Sequence, residues 1–557
     1  MRKSKIKLRF FALIIAATCT NEVISAEEHP GPSQSYSPAV DQIYPANVYW
    51  GDTHLHTNLS VDAYSYGNKL LGSEEAYRFA KGKTVRAHNG MEVRLHRPLD
   101  FLVIADHASN MGTMVGLAAG NSELLKTENG KRLFSMLKKA QDLEKVDFSK
   151  SQKLLNKMMY EVLMDKLLAS EDYKHSVWQE VIAAAEKHND PGKFTALMGY
   201  EWTPLSFNLH RVIIFKDGSN KVGQIIPFSQ NDSKDPEDLW FFLNAYTQKT
   251  GGDVLAIPHN GNLSNGAMFA LQNAKGSPLS KYYAETRSRW EPLYEVTQIK
   301  GDSETHPVIS PADEFSDYET FYYPKLSSQE VTEHRRTTNY LDYRSWFDDR
   351  NRKQNNADWQ RPYEYARSAL KLGLEQQAKL GVNPFKFGLI GSTDSHTSLA
   401  TADENNFFGK LTLTEPHKDR VLGPWRRAGS GSKRVGWRMN AAGYAAVWAE
   451  ENTRESLFAA MKRKEVYATT GPRMTVRFFG GWDYQPDDAF KPDLADIGYS
   501  KGVPMGGNLA HAPKDKSPTF LIRAVRDPDG ANLDRVQVIK GWHDKDGELH
   551  EKIYNVA

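Results

Sequence analysis

Cysteine is nearly absent. Cys19 is the one thiol in 557 residues, so the chain after it offers no disulfide, no thiolate nucleophile and no Cys-type structural zinc site. Charge of one sign is not in surplus either. The 71 Lys and Arg are set against 69 Asp and Glu, which gives no basic excess of the kind that grips nucleic acid. Long apolar runs are also lacking. The run at residues 10–17 is shorter than the roughly 20 residues a membrane helix needs, and no later stretch is apolar enough to cross a bilayer.

That short run carries its own meaning. It follows Arg2, Lys3, Lys5, Lys7 and Arg9 and leads to small residues at Ser25 and Ala26. Residues 1–26 therefore read as a secretory signal peptide, which implies export across the inner membrane to the periplasm. Its removal takes away five basic groups and Glu22, moving the net charge from +2 to −2. The alternatives are an uncleaved anchor, or lipidation at Cys19, which Thr18 fits poorly. Residues 27–43, rich in Pro, Ser and Glu, read as a flexible leader.

From residue 44 a pattern recurs. Short apolar runs end in polar, metal-capable side chains. Residues 47–50 lead into Asp52, His54 and His56, and residues 100–105 into Asp106 and His107. Residues 194–200 lead into Glu201, residues 254–258 into His259 and Asn260, residues 293–299 into Lys300 and Asp302, and residues 387–390 into Asp394 and His396. Helical sequence lies between many of these runs, and strands alternating with helices imply a parallel sheet with its functional residues at the C-terminal strand ends. His210 breaks the pattern, because it precedes its strand.

Residues 120–190 read as a helical insertion. Leu155, Met158, Met159 and Val162, and likewise Val177, Val181 and Ile182, mark apolar faces for packing. Residues 416–438 are Gly-rich and basic. They read as a solvated loop, with a phosphate grip by Arg426, Arg427 and Arg434 as the alternative. Residues 451–463 read as a helix with a capping box from Asn452 to Glu455. The last part, 476–557, reads as a small β region, truncated relative to something longer. Its strands are expected at 518–525, 533–539 and 551–556, with a turn at Lys545, Asp546 and Gly547.

His54 and His56 stand two apart, so in an extended segment both imidazoles point one way and reach one metal. Asp394 and His396 repeat the spacing. Imidazole with carboxylate suits Zn, Mn or Fe and suits Ca poorly. Taken singly, each residue has a plainer reading, such as a helix-start carboxylate for Glu201 or a buried, carbonyl-bonded imidazole for His259. Asp52 and Asp106 read as acceptors for the far N–H of ligating imidazoles. His306 is left open, as a pocket-lining group beside Asp302 and Glu304.

The ordered set Asp52-x-His54-x-His56, Ala105-Asp106-His107, Gly199-x-Glu201, Pro258-His259-Asn260 and Asp394-Ser395-His396 resembles the polymerase-and-histidinol-phosphatase superfamily, over roughly residues 45–475. Within it, the chain looks like the long exported members whose function was unassigned. The resemblance implies an α/β fold, a distorted (β/α)7 TIM-like barrel, with a trinuclear metal site. The first metal would take His54, His56, Glu201 and Asp394. The second would share Glu201 and add His210 and His259. The third would take Asp62, His107 and His396. Asp62 stands where many relatives carry His, which makes that position harder and favours Mn or Fe.

The activity so implied is hydrolysis of a small-molecule phosphate ester, a monoester in preference to a diester. Two or three divalent ions (Zn, Mn or Fe) would act with His54, Glu201, Asp394 and His210 as catalytic groups and a metal-bridging hydroxide as nucleophile. Arg473, Arg211, Lys300 and Asn260, with Asn262, are the candidate substrate contacts, Arg473 first because Gly471-Pro472 fixes its turn. The alternatives are an amidohydrolase-type or sulfatase-type hydrolase, and a non-enzymatic metal- or glycan-binding protein. Oligomeric state is not legible.

Overall fold

Among the described residues, the first regular element, from Asn47, is a strand of the central sheet. The computed structural model describes residues 44–321, 358–421, 436–439, 441–510 and 512–557. The expected signal peptide and leader, and Arg426, Arg427 and Arg434, lie outside these residues. The first half of the chain runs β1 (Asn47–Leu55), α1 (Val61–Ser65), α2 (Ser73–Ala80), β2 (Val85–Arg86), β3 (Glu92–Val93), β4 (Phe101–Ile104), α3 (Thr113–Ala119), α4 (Glu128–Val146), α5 (Phe148–Met164), α6 (Glu171–His188), β5 (Thr195–Trp202), β6 (Arg211–Phe215), α7 (Ser219–Val222), α8 (Pro236–Thr250) and β7 (Val254–Pro258). The second half runs α9 (Lys281–Trp290), β8 (Leu293–Gln298), β9 (Gly301–Asp302), α10 (Ala366–Leu380), β10 (Gly388–Gly391), β11 (Tyr444–Ala449), α11 (Arg454–Lys462), β12 (Val466–Thr469), β13 (Thr475–Gly481), α12 (Leu494–Lys501), β14 (Gly502–Pro504), β15 (Thr519–Val525), β16 (Gln537–His543) and β17 (Leu549–Asn555).

Seven strands form a curled half-barrel sheet in the order β12-β11-β1-β4-β5-β6-β7. It is mixed, unlike the expected parallel barrel. β1, β4 and β5 run parallel, but β6 lies antiparallel between β5 and β7, and β11 lies antiparallel to both β1 and β12. A second sheet, β10-β8-β9, packs with β8 beside β7 and β10 beside β12. The reversal of β6 explains why His210 precedes its strand. An antiparallel strand begins where its parallel neighbours end, and Arg211 pairs with Trp202 and Pro258 at that edge.

Strand side chains alternate between two faces, and the alternation sorts them into two cores. Phe101, Val103, Leu197, Val212, Ile214, Leu255, Ile257, Leu293, Ile390, Ala445 and Val447 share the inner cluster with Leu457, Phe458 and Met461 of α11. Leu102, Ile104, Met198, Tyr200, Ile213, Phe215 and Tyr294 face outward into the larger cluster, packed with the helices. Two positions on the inner face have no room for a side chain. A Cβ on Gly199 would sit 2.5 Å from Val103 and 2.6 Å from the Ile213 carbonyl, and one on Gly51 would sit 2.5 Å from the Phe101 ring.

Helices α4, α5 and α6 make up the insertion. Thr127, Asp147 and Ser170 cap them by accepting backbone N–H bonds. Their Leu155, Met158, Met159, Val162, Val181 and Ile182 are buried as packing. The expected Asn452 cap is not made. Thr453 caps α11 instead, because the Asn452 amide is engaged by Thr195 Oγ1 and the Asp100 carbonyl.

The C-terminal strands form two pieces. β13, β14 and β15 pair into one sheet over a small core of Phe479, Tyr484, Leu494, Ile497 and Leu521. β16 and β17 form a ribbon against α10, where Lys371 bonds Glu551 at 3.0 Å. The ribbon strands run closer to their turn than expected, because the Asp544 carboxylate accepts the N–H groups of Asp546 and Glu548 and keeps the turn tight. Among the described residues no helix is long and apolar enough to cross a membrane.

The crowding at Gly199 sets a test of the inner face. Gly199→Ala should cost about 1–3 kcal/mol of stability from overpacking, seen as a lower thermal midpoint. An unchanged midpoint would mean that β4, β5 and β6 are not packed as described.

Candidate metal centre

The inner face of the sheet continues directly into a polar cluster. Along β5 the inward positions are Leu197, Gly199 and Glu201. Along β4 and just beyond they are Phe101, Val103, Ala105 and His107. β7 supplies Leu255, Ile257 and then His259, and β6 supplies Ile214, Val212 and then His210. A register shift near the end of β1 lets Asp52 and Leu55 pair with β4, and His54 and His56 both enter the cluster. Asp394 follows β10 with φ of +46°, outside the usual range for a non-glycine residue. Its N–H donates to the His54 carbonyl at 2.9 Å, and the His56 N–H donates to the Ser395 carbonyl at 2.9 Å, so the β1 and β10 ends are locked together.

The nine expected ligand residues converge. His54 Nε2 lies 3.1 Å from His56 Nε2. Asp394 Oδ1 lies 3.5 Å and 3.1 Å from these two nitrogens, and Glu201 Oε2 lies 3.6 Å and 3.5 Å from them. The other Glu201 oxygen lies 2.9 Å from His210 Nδ1 and 2.8 Å from His259 Nε2. Asp62 Oδ2 lies 3.1 Å from His107 Nε2 and 3.0 Å from His396 Nε2. Three further groupings capable of holding a metal ion overlap these sets: His56 with His107 and His396, His54 with His56 and Glu201, and His54 with His259 and Glu295.

Glu295 is the residue that the strand-end pattern missed. It lies inside β8, and its oxygens are 3.2 and 3.3 Å from His54 Nδ1. A charged residue in the apolar run Leu293-Tyr294-Glu295-Val296, at the same parity as Leu293, was the available signal.

The chain belongs to the DUF3604 family. Its family model, described as a protein of unknown function, matches residues 44–557. No curated protein matches the chain. Among solved structures, a two-domain protein from Bacteroides vulgatus containing a predicted PHP-like metal-dependent phosphoesterase aligns over 92% of this chain and 95% of its own, at 8% identity and a TM-score of 0.30. That likeness is too slight to transfer fold or activity to this DUF3604 chain.

Contacts behind the cluster set the imidazole tautomers, though not through the carboxylates expected. Ser60 Oγ donates to Asp106 and so accepts from His56 Nδ1 at 2.8 Å. Thr203 Oγ1 lies 2.6 Å from His107 Nδ1, and the Asp394 carbonyl accepts from His396 Nδ1 at 2.9 Å. Asp52 instead accepts from the His54 N–H and from Thr393. Asp106 accepts from Thr57 and Ser60. Both aspartates hold the loops that carry the ligands and do not touch the rings.

The expected substrate contacts divide. The Lys300 ammonium pairs with Asp394, and its side chain is 26% exposed. The Asn260 amide faces His210 Nδ1 at 3.4 Å and accepts from Gln298 at 2.8 Å. Arg211, at the opposite parity to His210, turns away. It is buried on Glu291 at 2.9 Å and bonds the Leu209 carbonyl. Arg473 bonds the carbonyls of Arg97 and Pro98, and its N–H donates to Asp527. Neither arginine faces the cluster. Asn262 donates to the Lys300 and Asp302 carbonyls, and His306 lies against the Tyr365 ring.

The donor set fits divalent cations. Two bonds of about 2.0–2.2 Å meeting near a tetrahedral angle put donors roughly 3.3–3.6 Å apart, close to the spacings of His54 and His56 from Glu201 Oε2 and Asp394 Oδ1. Asp394 Oδ1 and His210 Nε2 are buried with no hydrogen-bond partner among the described residues, a costly arrangement without a cation, and Glu201 Oε2 meets His107 Nδ1 at 2.6 Å. Burial opposes charge on Glu201, but His107 and His210 outweigh it and hold the carboxyl well below the usual range. For Asp394, burial is outweighed by Lys300 and His54, with the same result. Burial pushes His56 down to about 3 and His210 to about 4. His54 and His107 are raised well above the ordinary imidazole value, since their neighbouring carboxylates overcome burial. Cations must therefore compete with protons on those two rings.

Chelator-treated protein should gain thermal stability when a divalent ion is restored, by about 2.7 kcal/mol at 100 times the Kd. The gain should shrink as the pH falls, because ligand nitrogens must lose protons to bind. Equal midpoints with and without added metal would contradict this.

Proposed function

We propose that this protein is an exported metal-dependent phosphoesterase of the polymerase-and-histidinol-phosphatase type, acting on phosphomonoesters in preference to diesters at two or three divalent ions. The curled sheet, with β8 and β10 on its open side, is read as a distorted barrel of the TIM type. Residues 1–26 serve as the export signal, 44–475 as the catalytic unit and 476–557 as an accessory β region.

One observation carries the reading. The two oxygens of Glu201 face two different donor groups, His54 with His56 and Asp394 on one side, His210 with His259 on the other. A carboxylate shared between two such groups suits a pair of cations about 3.5–4 Å apart, the arrangement that clamps an in-line phosphoryl displacement. Bound divalent ions supply Lewis acidity toward a phosphate ester and toward water.

The chain's own groups do the rest. Lys300, part-exposed beside Asp394, offsets the charge of phosphoryl oxygens. Asn260, held in a left-handed conformation, presents its amide beside His210. His210 turns Nδ1 to Glu201, which leaves Nε2 to hydrogen-bond a substrate oxygen. Sheet and helices seal the donors from bulk water, which strengthens each charge interaction.

Parallel assays with an aryl phosphate monoester, a diester, an aryl sulfate and an anilide test the reaction class. The monoester should be cleaved fastest and the sulfate and anilide negligibly. His54→Ala and Asp394→Ala should each lower kcat by more than the roughly 10–100-fold typical of outer contacts, with reduced metal content and unchanged secondary structure. Full turnover by either variant would refute the reading.

A further inference from the structure

Five of the six clustered imidazoles point Nε2 inward and tie Nδ1 to the protein. The Nδ1 partners of His56, His396 and His259 are neutral: Ser60 Oγ at 2.8 Å, the Asp394 carbonyl at 2.9 Å and the Ile257 carbonyl at 3.3 Å. His107 bonds Thr203 Oγ1, and the carboxylate nearest its Nδ1 is Glu201, itself one of the converging donors. His54 differs. Its Nδ1 faces Glu295 at 3.2 and 3.3 Å, on the ring edge opposite the Nε2 that meets His56 and Asp394.

Glu295 is 1% exposed. Among the described residues, His54 Nδ1 is the only hydrogen-bond partner of either of its oxygens. A buried carboxylate satisfied by one imidazole is a poor structural element, because desolvation of the charge costs several kcal/mol. The same arrangement is effective as a carboxylate–imidazole–cation relay. The carboxylate fixes the ring's tautomer and makes the far nitrogen more basic.

We infer that Glu295 is a positioning residue, which holds His54 with its hydrogen on Nδ1 and makes His54 Nε2 the strongest imidazole donor of the cluster. The cation held by His54, His56, Glu201 and Asp394 is then the most tightly bound of the set. This rests on the metal-centre reading above and adds to it an order of affinities and a residue that ligates nothing.

The test uses metal-free full chain titrated calorimetrically with Zn²⁺ or Mn²⁺ alone. Glu295→Gln keeps the shape and removes the charge. It should weaken the tightest binding class about 10–100-fold and leave the number of sites at saturation unchanged. Excess metal should restore most of its kcat. Ser60→Ala, which removes a neutral Nδ1 partner, should shift affinity less. Glu295→Asp, which keeps a buried carboxylate but draws it back, should fall between wild type and Glu295→Gln, and it carries the test if Glu295→Gln does not fold. Unchanged tight-class affinity in the variants would overturn the inference, as would loss of a whole site, which would make Glu295 a ligand. If the wild type bound no cation, the metal-centre reading would fail and this inference with it. Intact wild-type binding with indifferent variants would remove this inference alone.

Discussion

Glu201 sits at the end of a buried strand with nitrogens of five imidazoles within 3.6 Å of its carboxylate. Those rings come from β1 and the residue just past it, from the segment after β4, from just before β6 and from just after β7. Sequence separations of up to about 150 residues therefore close on one side chain, and only a sheet curled about that point brings them there. The same carboxylate constrains the interior below it. Gly199 must stay bare so that β4, β5 and β6 approach closely, and the apolar inner face beneath supports the polar end. Asp62, Glu201, Glu295 and Asp394 meet six imidazoles and the Lys300 ammonium, and burial makes any imbalance expensive.

The sequence showed the strand ends well because burial on both faces leaves apolar runs, and a polar side chain that closes such a run stands out. It showed the H-x-H spacing because two-residue periodicity is a property of any extended chain. Strand direction was harder to read. Nothing in residues 211–215 marks them as antiparallel, so His210 looked like an exception although the reversed strand places it correctly. Glu295 lies inside β8 and not at its end, where the strand-end pattern does not reach, and parity with Leu293 turns it inward. Parity also explains Arg211, which neighbours an inward histidine and so points out. Gly471-Pro472 signals a rigid turn at Arg473, but a turn does not say which carbonyls lie nearby, and those of Arg97 and Pro98 claim the guanidinium.

Asp52 and Asp106 teach a related lesson. Their place beside ligand residues suggested direct bonds to the rings. In the fold they accept backbone and hydroxyl donors from the loops that deliver the rings, and orientation reaches His56 through Ser60. Support for the cluster is thus built in layers. Strands set the depth, aspartates set the loops, hydroxyls and carbonyls set the tautomers, and one carboxylate, Glu295, acts on His54 alone.

The central claim is that Glu201 joins two cation-binding groups. Anomalous diffraction from crystals soaked in Mn²⁺ or Zn²⁺ addresses it most directly. At least two peaks should flank the Glu201 carboxylate, one among His54, His56 and Asp394 and one between His210 and His259. Anomalous density elsewhere in the protein with none at Glu201 would contradict it.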